Sequence, residues 1–117
     1  MGNIETGRQG EDLASNYLLL RGYEILARNY SCEYGEIDII ASHKDLLAFV
    51  EVKTRRTRNY GHGFEAVNRS KQEKIFKTSL IYLQEENILN RQVRYDIIEV
   101  YLIDGLEINH IENAFIV

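Results

Sequence analysis

The sequence predicts an α/β domain, a mixed central sheet flanked by helices, with elements in the order α-β-β-β-α-β-β. Three observations predict it. Two stretches repeat apolar residues at helical spacing. Five shorter stretches read as strands, and Asp104-Gly105 makes a hairpin turn between the last two. The second and third strands carry Ile39-Ile40-Ala41 and Leu47-Ala48-Phe49-Val50, apolar on both faces, as in strands covered by helices on both sides.

The first helix is expected over residues 7–21, with Thr6 as N-cap and Gly22 just past its end. Leu13, Ala14, Tyr17, Leu18 and Leu20 form its apolar stripe. Glu11 shares a helix line with Gly7, Ala14 and Leu18, at the edge of the buried face. Gly7 and Gly10 would let another element approach the helix start. Strands follow at 23–29, 36–41 and 46–54, and residues 55–63 form a loop. The second helix starts near Asn68 or Ser70 and runs to Glu86. Ile75, Phe76, Leu80 and Leu83 make its core face, and Lys71, Lys74 and Lys77 project elsewhere in a basic row. The last strands are expected at 94–103 and 106–111.

A length of 117 residues fits one domain over residues 1–117. No run approaches the 18 apolar residues of a membrane span, and the N-terminus lacks the pattern of a signal peptide. A lone Cys32 cannot make an internal disulfide, so a cytoplasmic location is expected. The net charge of −4 would seem to exclude a nucleic-acid binder. Its distribution says otherwise. Residues 53–77 hold eight basic and two acidic residues, a net +6 that leaves −10 for the rest. A solvated charged loop and helix face is the blander meaning of such a run. Arg55, Arg56, Arg58, Arg69, Lys71 and Lys74 are the candidate phosphate contacts. Tyr60 and Phe64 either stack on a base or anchor their loop, and His62 sits between two glycines.

The chemistry concentrates in one hairpin. A two-residue turn at Lys44-Asp45 would oppose His43 to Leu46, Asp38 to Glu51 and Glu36 to Lys53. Opposed carboxylates destabilise a sheet, and a divalent cation turns that conflict into a binding site. Oxygen ligands suit Mg²⁺ or Mn²⁺. Asp38 and Glu51 would ligate directly, the Val52 carbonyl could add a third oxygen, and Glu11 could complete the shell or hold a ligating water. Such an ion activates water and polarises a phosphate, while Lys53 orients the water and stabilises the developing charge. Catalytic roles are therefore expected for Glu11, Asp38, Glu51 and Lys53. The competing account is a solvent-facing salt-bridge cluster, but acids outnumber the basic partner on this face.

These residues carry a resemblance. Glu11, Asp38 and Glu51-x-Lys53 resemble the E…D…(D/E)-x-K pattern of the restriction-endonuclease-like, or PD-(D/E)xK, superfamily. Residues 7–11 with Ala14, residues 35–41 and 49–55, Lys71 and Arg94-Tyr95-Asp96 resemble more closely the bacterial YraN-like family, related to archaeal Holliday-junction resolvases. The superfamily's proline is replaced by Ile37. The resemblance implies a restriction-endonuclease-like fold, a metal at Asp38 and Glu51, Lys53 as catalytic lysine and Glu11 as a helix-borne acid. It implies that Lys71 or Gln72 lies near the phosphate. It implies a Mg²⁺-dependent DNA endonuclease, with branched DNA such as Holliday junctions among its substrates. The alternatives are a non-catalytic nucleic-acid-binding module of the same fold and a partner-interaction domain. Arg94 and Asp96 are expected to pair structurally, and the apolar C-terminus either packs on the domain or forms a homodimer contact.

Overall fold

A computed structural model describes residues 3–56 and 67–115. Arg58, Tyr60, His62 and Phe64 fall outside the described residues. The chain forms α1 (Asn3–Leu20), β1 (Glu24–Cys32), β2 (Gly35–His43), β3 (Leu46–Arg55), α2 (Arg69–Glu85), β4 (Gln92–Tyr101) and β5 (Glu107–Ile111). The five strands make one sheet in the order β1-β2-β3-β4-β5. Strands β3 and β4 run parallel, joined across α2, and the other pairs are antiparallel. The sheet is mixed, as the element order predicts.

Each helix packs on its own face of the sheet. Ala14 and Leu18 of α1 join Ile39, Ala41, Ala48, Val50, Ile98 and Val100 in one apolar cluster. Ile75 and Tyr82 of α2 join Ile37, Ile40, Phe49, Tyr95 and Ile97 in the other. Phe115 is buried in this second cluster, and the Ala114 N–H donates to the Tyr95 carbonyl, so the described part of the C-terminus packs on the domain.

The helix ends obey capping chemistry. Gly22 has φ 90°, its N–H donates to the Leu19 carbonyl and the Tyr23 N–H to that of Leu18. Together these form a Schellman stop that a side chain at Gly22 would strain. Asn68 caps α2, its side chain accepting from the Lys71 N–H at 2.9 Å. The start of α1 differs from the expected one. The helix is already formed at Asn3, so Thr6 lies inside it and is not its cap.

Two apolar faces also differ. Leu20 is 89% exposed, one step past the α1 stripe. On α2 the buried positions are Ile75, Thr78, Ser79 and Tyr82, a clean i, i+3, i+4, i+7 face, while Leu80 points outward. Polar Thr78 and Ser79 are tolerated there because both are bonded. Thr78 Oγ1 donates to the Lys74 carbonyl, and Ser79 Oγ donates to the Phe76 carbonyl and pairs with the Tyr95 hydroxyl.

Candidate active site

The hairpin register is the one a two-residue turn dictates, from His43↔Leu46 through Ile39↔Val50. There the ladder stops. Asp38 and Glu51 do not continue it, and the expected Glu36–Lys53 pairing is not made. Instead Asp38 Oδ2 accepts the Val52 N–H at 2.8 Å. A side-chain oxygen has taken the place of a ladder carbonyl, so β2 and β3 part at the acidic residues. The alternation of β2 breaks at the same level. Ile37 and Ile40 pack in the α2 cluster, whereas Ile39 and Ala41 pack in the α1 cluster. On β1, Asn29 lies beside this break with a left-handed φ of 53°.

The parting opens a cleft of about 720 Å³, lined among others by Glu11, Glu36, Asp38, Glu51, Lys53 and Lys71. Each side chain arrives from a rigid element. Glu51 and Lys53 share one face of β3, the α2 side that Phe49 also faces. Glu51 is 3% exposed, so it does not sit on a solvent-facing surface, whereas Asp38 and Lys53 are half-buried and Glu36 is exposed. Glu11 arrives because α1 comes very close to β3 at Gly10. A Cβ built on Gly10 would stand 1.8 Å from Thr54 Oγ1. Gly7 has no such neighbour, so the close approach belongs to Gly10 alone of the two.

Burial dominates the electrostatics. Glu51 is pushed up to about 7, by burial and then by the nearby Asp38 carboxylate, against the pull of Lys71 and Lys53. Asp38 is also raised by burial, although the Val52 N–H opposes this. Glu11 is raised by burial and by Asp38, against contacts from Asn29 and Arg28. Its Oε1 stands 3.7 Å from Arg28 Nη2, set back from the other two acids. Lys53 is lowered by burial and by contact with Lys71.

Lys71 reaches into the cleft from α2. Its Nζ lies 3.4 Å from Glu51 Oε2. Lys71 and Lys74, off the core face as expected, line the cleft, while Lys77 lies over the Tyr34 ring at 5.7 Å. Arg69 is almost fully exposed beside Glu73, and Arg56 Nη2 reaches Gln9 Oε1. The Arg55 carbonyl accepts the Leu102 N–H, tying the end of β3 to the chain beyond β4.

The donor set fits a hard divalent cation. Glu51 Oε1 is buried and has no hydrogen-bond partner, an expensive state for a carboxylate oxygen unless a cation or water meets it. Asp38 holds the Val52 N–H through Oδ2. Among the described residues, no three His, Cys, Asp or Glu side chains stand close enough together to hold an ion. Asp38 is near enough to Glu51 for its carboxylate to push the Glu51 carboxyl up.

A second polar cluster lies on the α1 side of the sheet, and sequence spacing gave no hint of its full membership. Asp96, fully buried, takes a bidentate fork from Arg94 (2.8 Å each), His110 Nε2 at 2.7 Å and the Asn113 N–H at 3.0 Å. Arg94 also donates to the Tyr23 hydroxyl, and Tyr17 reaches His110 Nδ1. Burial alone would raise Asp96, but the bonds from His110, Arg94 and Asn113 hold it below the usual range. Every oxygen is satisfied, so this cluster ties β4, β5 and α1 together. His110 lies 14 residues from Asp96 and 93 from Tyr17, a separation no local motif spans.

The fold and site define a class: an α/β domain whose five-stranded mixed sheet carries a buried carboxylate, a half-buried one and a lysine in a cleft between its helices. The chain belongs to Uncharacterised protein family UPF0102, whose profile matches residues 10–100. It is 47% identical to a UPF0102 protein of Caldanaerobacter subterraneus, over 93% of each chain. It is 46% identical to one of Clostridioides difficile, over 98% of this chain and all of the relative. A UPF0102 protein of Clostridium acetobutylicum is 45% identical over 97% of this chain and 95% of its own. No helix among the described residues is long and apolar enough to cross a membrane.

Proposed function

We propose that this protein is a metal-dependent DNA endonuclease, a phosphodiester hydrolase with branched DNA among its substrates. The observation that carries the reading is the pair of half-buried Asp38 and buried Glu51, with Glu51 Oε1 unpartnered and Lys53 two residues along the same strand. A charged pair at the heart of a sheet destabilises the fold, and a cation site is the chemistry that gives it a use. The resemblance of Glu11, Asp38 and Glu51-x-Lys53 to the restriction-endonuclease-like superfamily supports the same reading.

Asp38 and Glu51 would hold Mg²⁺ or Mn²⁺, with the Val52 carbonyl as a further oxygen donor and Glu11, beside Arg28, holding a ligating water. The ion supplies Lewis acidity, polarising a scissile phosphate and acidifying water. Lys53, its ammonium weakened by burial, presents Nζ to the attacking water and to charge building on the phosphate. The Val52 N–H fixes the Asp38 carboxylate so that one oxygen stays aimed at the cleft. Lys71 and Lys74 line the cleft where a phosphate backbone would lie, and Arg55, Arg56, Arg58 and Arg69 remain the further candidate phosphate contacts of the basic sequence segment.

The test is calorimetric titration of the full chain with Mg²⁺ and Mn²⁺. One binding event in the parent, lost in both Asp38→Asn and Glu51→Gln, is the expected result. A parent that takes up neither ion, even with DNA present, leaves at most a nucleic-acid-binding module.

A further inference from the structure

The cation now beside Glu51 is the protein's own. Lys71 Nζ stands 3.4 Å from Glu51 Oε2, and Asp38 adds to the pull on it. The two partners are held very differently. Glu51 rises from a central strand with its side chain 4% exposed, whereas the Lys71 side chain is 43% exposed. The Lys71 backbone is pinned by the Asn68 cap, so only its flexible stem needs to move for the ammonium to leave.

We propose that Lys71 is a built-in counter-ion, occupying the cation position at Glu51 in the free protein and turning outward to a phosphate when a divalent ion enters. The inference rests on the metal-dependent reading of the site. It gives Lys71 two successive partners, a carboxylate and then a phosphate. Metal entry must break the Lys71–Glu51 contact, so the free protein binds metal more weakly than its carboxylates alone would. Once expelled, the ammonium is available to an anion, so metal and nucleic acid favour each other's binding.

The test is Mn²⁺ titration of the full chain by calorimetry, without nucleic acid, for the parent, Lys71→Met and Lys74→Met. Lys74 lines the same cleft and controls for the loss of one positive charge nearby. Lys71→Met should bind Mn²⁺ about tenfold more tightly than the parent, the worth of one partly buried charge-assisted contact. Lys74→Met should change the affinity by less than about threefold, as a screened charge without contact would. Equal or weaker binding by Lys71→Met, or an equal gain in both variants, overturns the counter-ion role and leaves the metal site standing. No Mn²⁺ uptake by any of the three proteins overturns the metal site and the counter-ion role together.

Discussion

Glu51→Gln should make this protein more stable at neutral and alkaline pH. Glu51 is nearly fully buried, and its carboxyl is pushed from an ordinary 4.5 up to about 7. The folded chain therefore holds this proton more tightly than the unfolded chain does. Stability from the neutral carboxyl is fully present below pH 4.5 and is lost as pH rises through 7. Keeping the group ionised costs about 3 kcal/mol above pH 7. Glutamine is neutral at every pH and has the same shape, so it escapes that cost. The parent should lose about 3 kcal/mol relative to Glu51→Gln between pH 5 and pH 8, or about 10 °C in Tm for a chain of this size. Urea unfolding of both proteins at pH 5 and pH 8, in EDTA, measures it. A variant less stable than the parent at pH 8 would refute the reasoning. It would mean that Lys71 and Lys53 stabilise the Glu51 carboxylate by more than burial costs it.

Three further outcomes follow from particular contacts. Gly10→Ala should destabilise by about 2 kcal/mol, the usual cost of overpacking. Its Cβ meets Thr54 Oγ1, and Thr54→Ala in the same chain should restore part of that loss in thermal unfolding. Asn68→Ala should cost about 1 kcal/mol by removing the α2 cap, with Asn68→Asp retaining most of it in the same denaturation assay. Asp96→Ala should cost about 3–5 kcal/mol, because it leaves Arg94 without its carboxylate inside the fold. Circular dichroism on heating reads the last directly, and loss of the α1 tether through His110 and Tyr17 should accompany it.

Much of this was legible in the residues. The hairpin register follows from the Lys44-Asp45 turn, and Asp38, Glu51 and Lys53 stand out because charged residues interrupt apolar strands. What happens beyond Ile39↔Val50 was not legible. Whether Asp38 continues a ladder or captures the Val52 N–H with its side chain depends on Asn29 and on where α2 docks, not on the pattern of β2 itself. On α2, Ile75, Phe76 and Leu83 pack on the core as expected, but Leu80 does not, and Thr78 and Ser79 were missed for a similar reason. Thr78 and Ser79 read as polar, and only the carbonyls of Lys74 and Phe76 and the hydroxyl of Tyr95 make them fit for burial. Lys71 carries the same lesson. Its charge marked it as a phosphate contact, but the N-cap at Asn68 sets the helix phase that turns it to Glu51. Long-range partners such as His110 for Asp96 and Tyr17 for His110 are fixed by β4–β5 pairing and by α1 docking, and no spacing in the chain encodes them.

The central claim is that Asp38 and Glu51 make this cleft a metal-dependent nuclease. The most direct measurement is cleavage of end-labelled duplex, flap and four-way-junction DNA by the full chain, with Mn²⁺, Mg²⁺ or EDTA. Asp38→Asn is run beside it. The account predicts cutting of at least one substrate that needs the divalent ion and disappears in Asp38→Asn. No cutting of any substrate by the parent with either ion, or cutting that survives EDTA and Asp38→Asn, would contradict it.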